Sequence, residues 1–292
     1  MYYSIYSKLR AIYSFLPSRE DVESLLNVQG ISGFISNLNK MNFLQRFPVM
    51  NKELESHLKM IPFSLAKLVR DQIPGTSALF FDDYLRSYEL RDIKNIIHGG
   101  QGFFIDGLRD KKMSIQELND YMQKRFWKIC WNTAYSKYKN NPRKVDIEVF
   151  LDHCYYSSFL KNTDYLPFED KYQTMEFILI LINFKNRLSL HRLKNIYNLE
   201  GFEVKRFLIP EGEIFYNYEE EKGLLENTFI KEFTSICYQD FKFKMYSMRA
   251  ILAFFFLLTI RIDEILSIYR AKLLGFNRES VKKIWDGIYV GS

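Results

Sequence analysis

A chain of 292 residues, 47% hydrophobic and 26% charged, is long enough to bury a sizeable core and too apolar to be disordered. With 13 Gly and 7 Pro it lacks the turn residues of a β-rich architecture, so long helices are favoured. The formal net charge of +6 fits contact with an acidic partner or an anionic surface, and it fits lysine-rich solvated helix faces equally well.

Taken in order, the first helix spans Tyr2 to Leu16, with Ile5, Leu9, Ile12 and Leu16 on one face, and Pro17 stops it. Ser18 and Asp21 form a capping pair that opens a helix through Leu26, and a short helix runs on to about Leu38. Pro48 breaks the chain. Asn51 caps the next helix, which Pro62 should kink or end because it has no amide donor. After the Pro74-Gly75 turn, a long helix from Ser77 ends at Gly99, where a C′ glycine belongs.

A second capping box, Ser114 with Glu117, predicts a long helix through Tyr138, with Trp127, Trp131 and Tyr135 as a core stripe. Asn140-Asn141-Pro142 is a turn, and a helix from Asp146 carries DIEVFLDHCYYSSFL. A loop over 161–170 precedes a helix from Lys171 to Leu199 that ends near Gly201. GFEVKRFLIPEGEI is a bent connector, with Glu203 to Ile209 the only candidate for extended chain. Glu219 to Lys222 is a charged loop. Helices follow over 223–238 and 241–274; Gly275 ends the second, and Asn277 with Ser280 starts a last short helix to about Trp285. The expected fold class is all-α.

Three stretches share a pattern: Glu89, Asp92 and His98; Asn183, Asn186 and Arg192; Arg261, Glu264 and Arg270. In each, a polar residue is followed three positions later by an acid or amide, and six positions after that by a cationic or cation-capable residue. The copies lie about 80–95 residues apart, so the repeating unit is a small helical subdomain rather than one turn of a short-repeat solenoid. The expected units are 1–105, 106–200 and 201–292. On a helix, positions three apart share a face and positions nine apart do not, so Glu89 and Asp92 point together while His98 points elsewhere. Cations at the helix end also complement the dipole.

No catalytic constellation is visible. None of His57, His98, His153 and His191 has a metal-like partner at helical spacing, and neither HExxH nor CxxC occurs. Gly99-Gly100-Gln101-Gly102 follows a helix and lacks the lysine of a phosphate loop. Glu148 and Asp152 share a helix face, where inter-helix salt bridging is expected. Three cysteines, Cys130, Cys154 and Cys237, are odd in number and far apart in sequence, which argues for a reducing compartment. No signal-peptide pattern is visible, and the longest apolar run, Ala250 to Ile260, is shorter than the roughly 20 residues of a spanning helix. It reads as a buried helix. The basic, aromatic segment Phe241 to Tyr246 has a composition that can bind nucleic acid, but its aromatics fall where a core is expected.

The motifs resemble those of the C/d subunit family of V-type and A-type rotary ATPases, in its bacterial or archaeal form. That family repeats a motif of the form D-[VIL]-x-N-[IL]-[KR]-x-x-x-R. YELRDIKNIIHGG is similar, with Glu89 for the acid, Asp92 for the amide, Ile93 and Lys94 intact, and His98 for the arginine. NFKNRLSLHR keeps Asn186 and Arg192, with Asn183 for the acid. RAKLLGFNRESVKKIW resembles the family's C-terminal signature through Arg270, Lys272, Gly275 and Glu279, whereas Arg261 and Glu264 depart from the family's Glu and Asn. DIEVFLDHCYYSSFL, RFLIPEGEI and YYSIYSKLRAIYSFL resemble its second-repeat, connector and opening-helix segments.

The resemblance implies three pseudo-symmetric helical subdomains forming a funnel, with no activity and no cofactor of its own. It implies a place on the cytoplasmic side of a membrane, peripheral, between the central-stalk subunits of the soluble ATPase sector and the membrane rotor ring of c/K subunits. There the family couples ATP chemistry to proton or sodium ion translocation. Nucleic acid is not an expected partner. The alternative reading is a helical-repeat scaffold for another protein or nucleic acid.

Overall fold

The computed structural model describes residues 2–41, 54–123, 127–140, 144–195, 202–212 and 226–281. The Pro48 break, the Asn51 cap, the turn at Asn141-Pro142, the helix end near Gly201, the 219–222 segment and Trp285 lie outside the described residues. The fold is all-α: among the described residues there is no strand, only one isolated bridge between Gly102 and Arg109.

The chain divides into two compact units, one of residues 1–73 with 223–292 and one of residues 74–222. The first holds α1 (Tyr3–Tyr13), α2 (Arg19–Asn27), α3 (Gly30–Lys40), α4 (Leu54–Arg70), α11 (Glu226–Phe243) and α12 (Met248–Leu273). α12 contains the apolar run Ala250 to Ile260 and packs on α11, α4, α1, α3 and α2, so it is the unit's central helix. Its leucines, isoleucines and phenylalanines surround it on nearly all sides because it has neighbours on nearly all sides. Ser247 starts it by accepting the Ala250 amide at 3.1 Å.

Gly275 ends α12 at φ +75°, with the Phe276 amide on the Ala271 carbonyl and the Gly275 amide on the Lys272 carbonyl, a Schellman closure. Beyond it, Asn277 caps a further turn through the Ser280 amide at 2.9 Å, and the chain is helical to residue 281.

The second unit holds α5 (Ser77–Ile97), α6 (Ile115–Met122), α7 (Lys128–Asn140), α8 (Lys144–Lys161), a 3₁₀ turn (Asn162–Tyr165), α9 (Phe168–Asn195) and the single turn α10 (Phe202–Lys205). α7 and α8 form the tightest pair, and α5 packs on α8, the 3₁₀ turn and α6. Trp127 and Trp131 are fully buried, as the stripe predicts, whereas Tyr135 is half-buried with its hydroxyl donating to Gln116.

Several expected boundaries are corrected. Of the two outcomes expected at Pro62, a kink or an end, the end does not occur: α4 runs through it, because its face of Leu58, Ile61, Leu65 and Val69 is buried and packing on α12 outweighs one lost backbone bond. The helix expected from Ser114 to Tyr138 is two helices, α6 and α7. The loop expected over 161–170 contains a 3₁₀ turn, Asn162–Tyr165, and the start of α9. The connector's stretch from Glu203 to Ile209 is not a strand: it starts in the helical turn α10 and continues as a turn at 206–207. The single helix expected over 241–274 breaks between α11 and α12, where Tyr246 takes φ +63°. Both capping boxes, Ser18 with Asp21 and Ser114 with Glu117, form as read.

Candidate functional site

The middle position of the repeated motif is buried in every copy: Asp92 at 0%, Asn186 at 3% and Glu264 at 1% exposure. Amphipathic helices place charged side chains on their wet face, so three buried polar groups at matched positions each need a partner. The structure supplies a different partner each time.

Asp92 faces the loop that follows its own helix. Its Oδ1 accepts the Phe103 amide at 2.7 Å, and its Oδ2 accepts the Phe104 and Ile105 amides, both at 2.9 Å. Burial pushes the Asp92 carboxyl above the ordinary carboxylate range, and the three amides pull it back. The loop is compact. Gly99, at φ +85°, and Gly100 close α5 in a Schellman motif, with the Gly100 amide on the Asn95 carbonyl and the Gly99 amide on the Ile96 carbonyl. Gly102 then lies against Leu108, whose carbonyl oxygen would be 2.5 Å from a Cβ there. The glycine cluster is therefore a helix stop and loop closure, and the row of amides after it is filled by the chain's own carboxylate.

The other positions of this copy point to separate neighbours, as the spacing predicts. Glu89 accepts the Trp127 indole N–H at 2.8 Å. His98 caps α5 and pairs through Nε2 with Glu148, while Lys94 Nζ lies 2.6 Å from Asp152. Lys94 and His98 on α5 thus meet Asp152 and Glu148 on α8 in antiparallel register, two pairs one turn apart. Burial raises the Glu148 carboxyl against the pull of His98 and Lys94.

Asn186 holds the connector. Its Nδ2 donates to the Ile209 carbonyl at 3.0 Å and its Oδ1 accepts the Ile209 amide at 2.8 Å, so one side-chain amide satisfies both backbone groups of one residue. A Cβ on Gly212 would come within 2.5 Å of Asn186 Nδ2, 2.8 Å of Ile182 and 3.0 Å of Asn183 Oδ1. This places Asn183 beside the same connector. Leu190 and Leu193 pack with Val204, Phe207 and Leu208 in one apolar cluster. Arg192 lies on α9, and its side chain is outside the described residues.

In the third copy, Glu264 pairs with Arg261 one turn earlier at 2.7 Å. Arg270 lies 2.6 Å from Glu55 on α4, and Lys272 reaches the Val28 and Leu26 carbonyls at 2.7 and 3.3 Å. Arg270 and Lys59 hold the Glu55 carboxyl at about 2. Arg270 sits one turn before its helix ends, whereas His98 is its helix's cap.

Sequence reasoning missed the receiving groups: the amides of Phe103 to Ile105, the backbone of Ile209, Gly212 and Glu55. Gly212 carried a signal, as a glycine two residues after Pro210 in the bent connector. It also missed the buried pair of Arg249 with Asp240, 2.8 Å apart across the α11–α12 turn. Cys130 and Cys154, far apart in sequence, are brought into thiol contact where α7 meets α8; the hydrogen bond from Cys154 draws the Cys130 thiol down to about 7. Among the described residues no cluster of three His, Cys, Asp or Glu side chains could hold a metal ion, and no helix is long and apolar enough to cross a membrane.

No family model matches the chain. A curated relative, the C subunit of the A-type ATP synthase of Pyrococcus horikoshii, is 24% identical over 221 aligned residues, covering 70% of this chain. The match spans 60% of that relative's own length. This similarity bears out the resemblance to the C/d family that the motifs carry.

Proposed function

We propose that this protein is a divergent C/d-type subunit of an A/V-type rotary ATPase, a non-catalytic rotor part between the central stalk and the membrane ring. The observation that carries the reading is the similarity to the C subunit of an A-type ATP synthase over 70% of the chain. The motif chemistry supports it. A torque coupler must hold its loops rigidly to its helices, and Asp92 and Asn186 each clamp a following segment through backbone hydrogen bonds. In this reading the chain comprises three repeated helical units, 1–105, 106–200 and 201–292, arranged as a funnel. Its partners are the stalk subunits and the cytoplasmic face of the c/K ring, and its work is coupling ATP synthesis or hydrolysis to proton or sodium ion movement.

The test is affinity purification of the tagged protein from detergent-solubilised membranes of its own source. Recovery of stalk and ring subunits in stoichiometric amounts supports the reading. Recovery of none of them, with retention on RNA or DNA columns, favours the helical-repeat scaffold instead. ATP hydrolysis by the detached catalytic sector is expected to be unchanged in the Asp92→Ala protein, since this chain supplies no catalytic group.

A further inference from the structure

The turn joining α11 to α12 presents an exposed aromatic and basic surface. Tyr3, Phe243, Met245 and Tyr246 are exposed at 66%, 68%, 47% and 43%. Scattered exposed apolar residues are ordinary, but here three lie in one turn, and the ring of Tyr3 of α1 packs at a tilt against Tyr246 with centroids 5.0 Å apart. Lys242 and Lys244 alternate with them and are exposed.

The backbone is bent to make this tip. Tyr246 sits in the left-handed region at φ +63°, unfavourable for a residue with a Cβ. It is held by Tyr3 and by Tyr6, whose ring centroid lies 5.2 Å away.

The surrounding charge has one sign in sequence. No Asp or Glu occurs before Glu20, and none between 241 and 262. Asp240, just before the turn, is buried against Arg249.

We infer that this tip is an interfacial anchor for an anionic lipid bilayer. The aromatic rings and Met245 enter the headgroup layer, while the lysine stems lie along it with their ammonium groups at the phosphates. An acidic protein partner is the less favoured occupant. Protein interfaces enrich arginine and deplete lysine, and the exposed cations of this turn are lysines. The inference stands on the surface chemistry of this unit alone and does not require the rotary reading.

The test is co-sedimentation of the full-length protein with phosphatidylcholine vesicles, with and without about one-third phosphatidylserine, at 0.1 M salt. Binding to the anionic vesicles is expected, weakening in 1 M salt. Lys242→Gln with Lys244→Gln is expected to weaken partitioning about 30-fold. Phe243→Ser with Met245→Ser is expected to weaken it more than tenfold. All four substitutions are at exposed positions, and unchanged circular dichroism shows that each variant is folded. Absence of binding by the parent protein overturns the inference, as does equal binding by folded variants. Capture on polyglutamate or RNA with no vesicle binding also overturns it, in favour of an acidic macromolecular partner. None of these outcomes bears on co-purification with ATPase subunits, so the two proposals fail separately.

Discussion

Replacing Asp92 with alanine removes the acceptor of three consecutive amides, those of Phe103, Phe104 and Ile105, at 2.7 to 2.9 Å. Hydrogen bonds to a charged group contribute about 1.5–3 kcal/mol each, so the gross loss is about 5–9 kcal/mol. Two terms reduce it. Burying the carboxylate already costs several kcal/mol, consistent with a carboxyl pushed up by burial. The Phe103 and Ile105 bonds are only part-buried, so water can replace the carboxylate there, while the Phe104 amide is left buried without an acceptor.

The net expected loss is about 2–4 kcal/mol, a drop of about 5–15 °C in the melting of the 74–222 unit. The change should also appear locally, as faster hydrogen exchange at the Phe103 to Ile105 amides. Asp92→Asn keeps one acceptor oxygen and discards the buried charge, so it should cost less than alanine. Because the carboxyl is raised in the folded protein, its own linkage contribution is full at low pH and is lost as pH rises. The cost of Asp92→Asn relative to the parent protein should therefore be smaller at neutral pH than in acid. Urea and thermal unfolding of the full chain measure these differences. A loss below about 0.5 kcal/mol for Asp92→Ala, with unchanged exchange at the three amides, would refute the clamp.

Three further outcomes follow from the same geometry. Asn186→Ala leaves both backbone groups of Ile209 buried without their partner and should cost about 2–3 kcal/mol by urea denaturation. Gly212→Ala drives a Cβ into Asn186 and Ile182 and should cost about 1–3 kcal/mol; the double variant should lose less than the sum, because the alanine at 212 then has no amide to displace. Glu55, held at about 2 against its ordinary 4.5 by Arg270 and Lys59, contributes stability above its unfolded value. That contribution is lost as pH falls from about 4.5 towards 2. The pairs are part-exposed and screened by solvent, so it is at most about 1 kcal/mol, and Glu55→Gln should flatten that part of the acid-unfolding profile.

Much of the local structure was legible in the residues. Ser18 with Asp21 and Ser114 with Glu117 close their own helix ends, and Gly99 and Gly275 stop theirs, because every partner involved lies within a few residues. The burial of most of Ala250 to Ile260 followed from its composition. Where a helix broke was less legible. Pro62 carries a strong local signal to stop, and α4 continues because the core on one side of it supplies more than the lost bond. Phe241 to Leu274 carries no strong stop signal, yet the chain turns at Tyr246, where ring contacts with Tyr3 and Tyr6 hold a conformation that local preference opposes.

The sequence by itself determined the all-helical class, the caps, and the matched positions of Glu89, Asp92 and His98, of Asn183, Asn186 and Arg192, and of Arg261, Glu264 and Arg270. Those depend on periodicity and on contacts within one or two turns. Only the tertiary structure decided what the middle positions do. A polar residue beside an apolar stripe looks the same whether it faces water or a loop folded back upon it. Asp92 meets amides 11 to 13 residues away, Asn186 meets a residue 23 away, and Glu264 turns instead to its own helix. The chain's return path sets these partners, and with them whether a buried polar group stabilises or strains the fold.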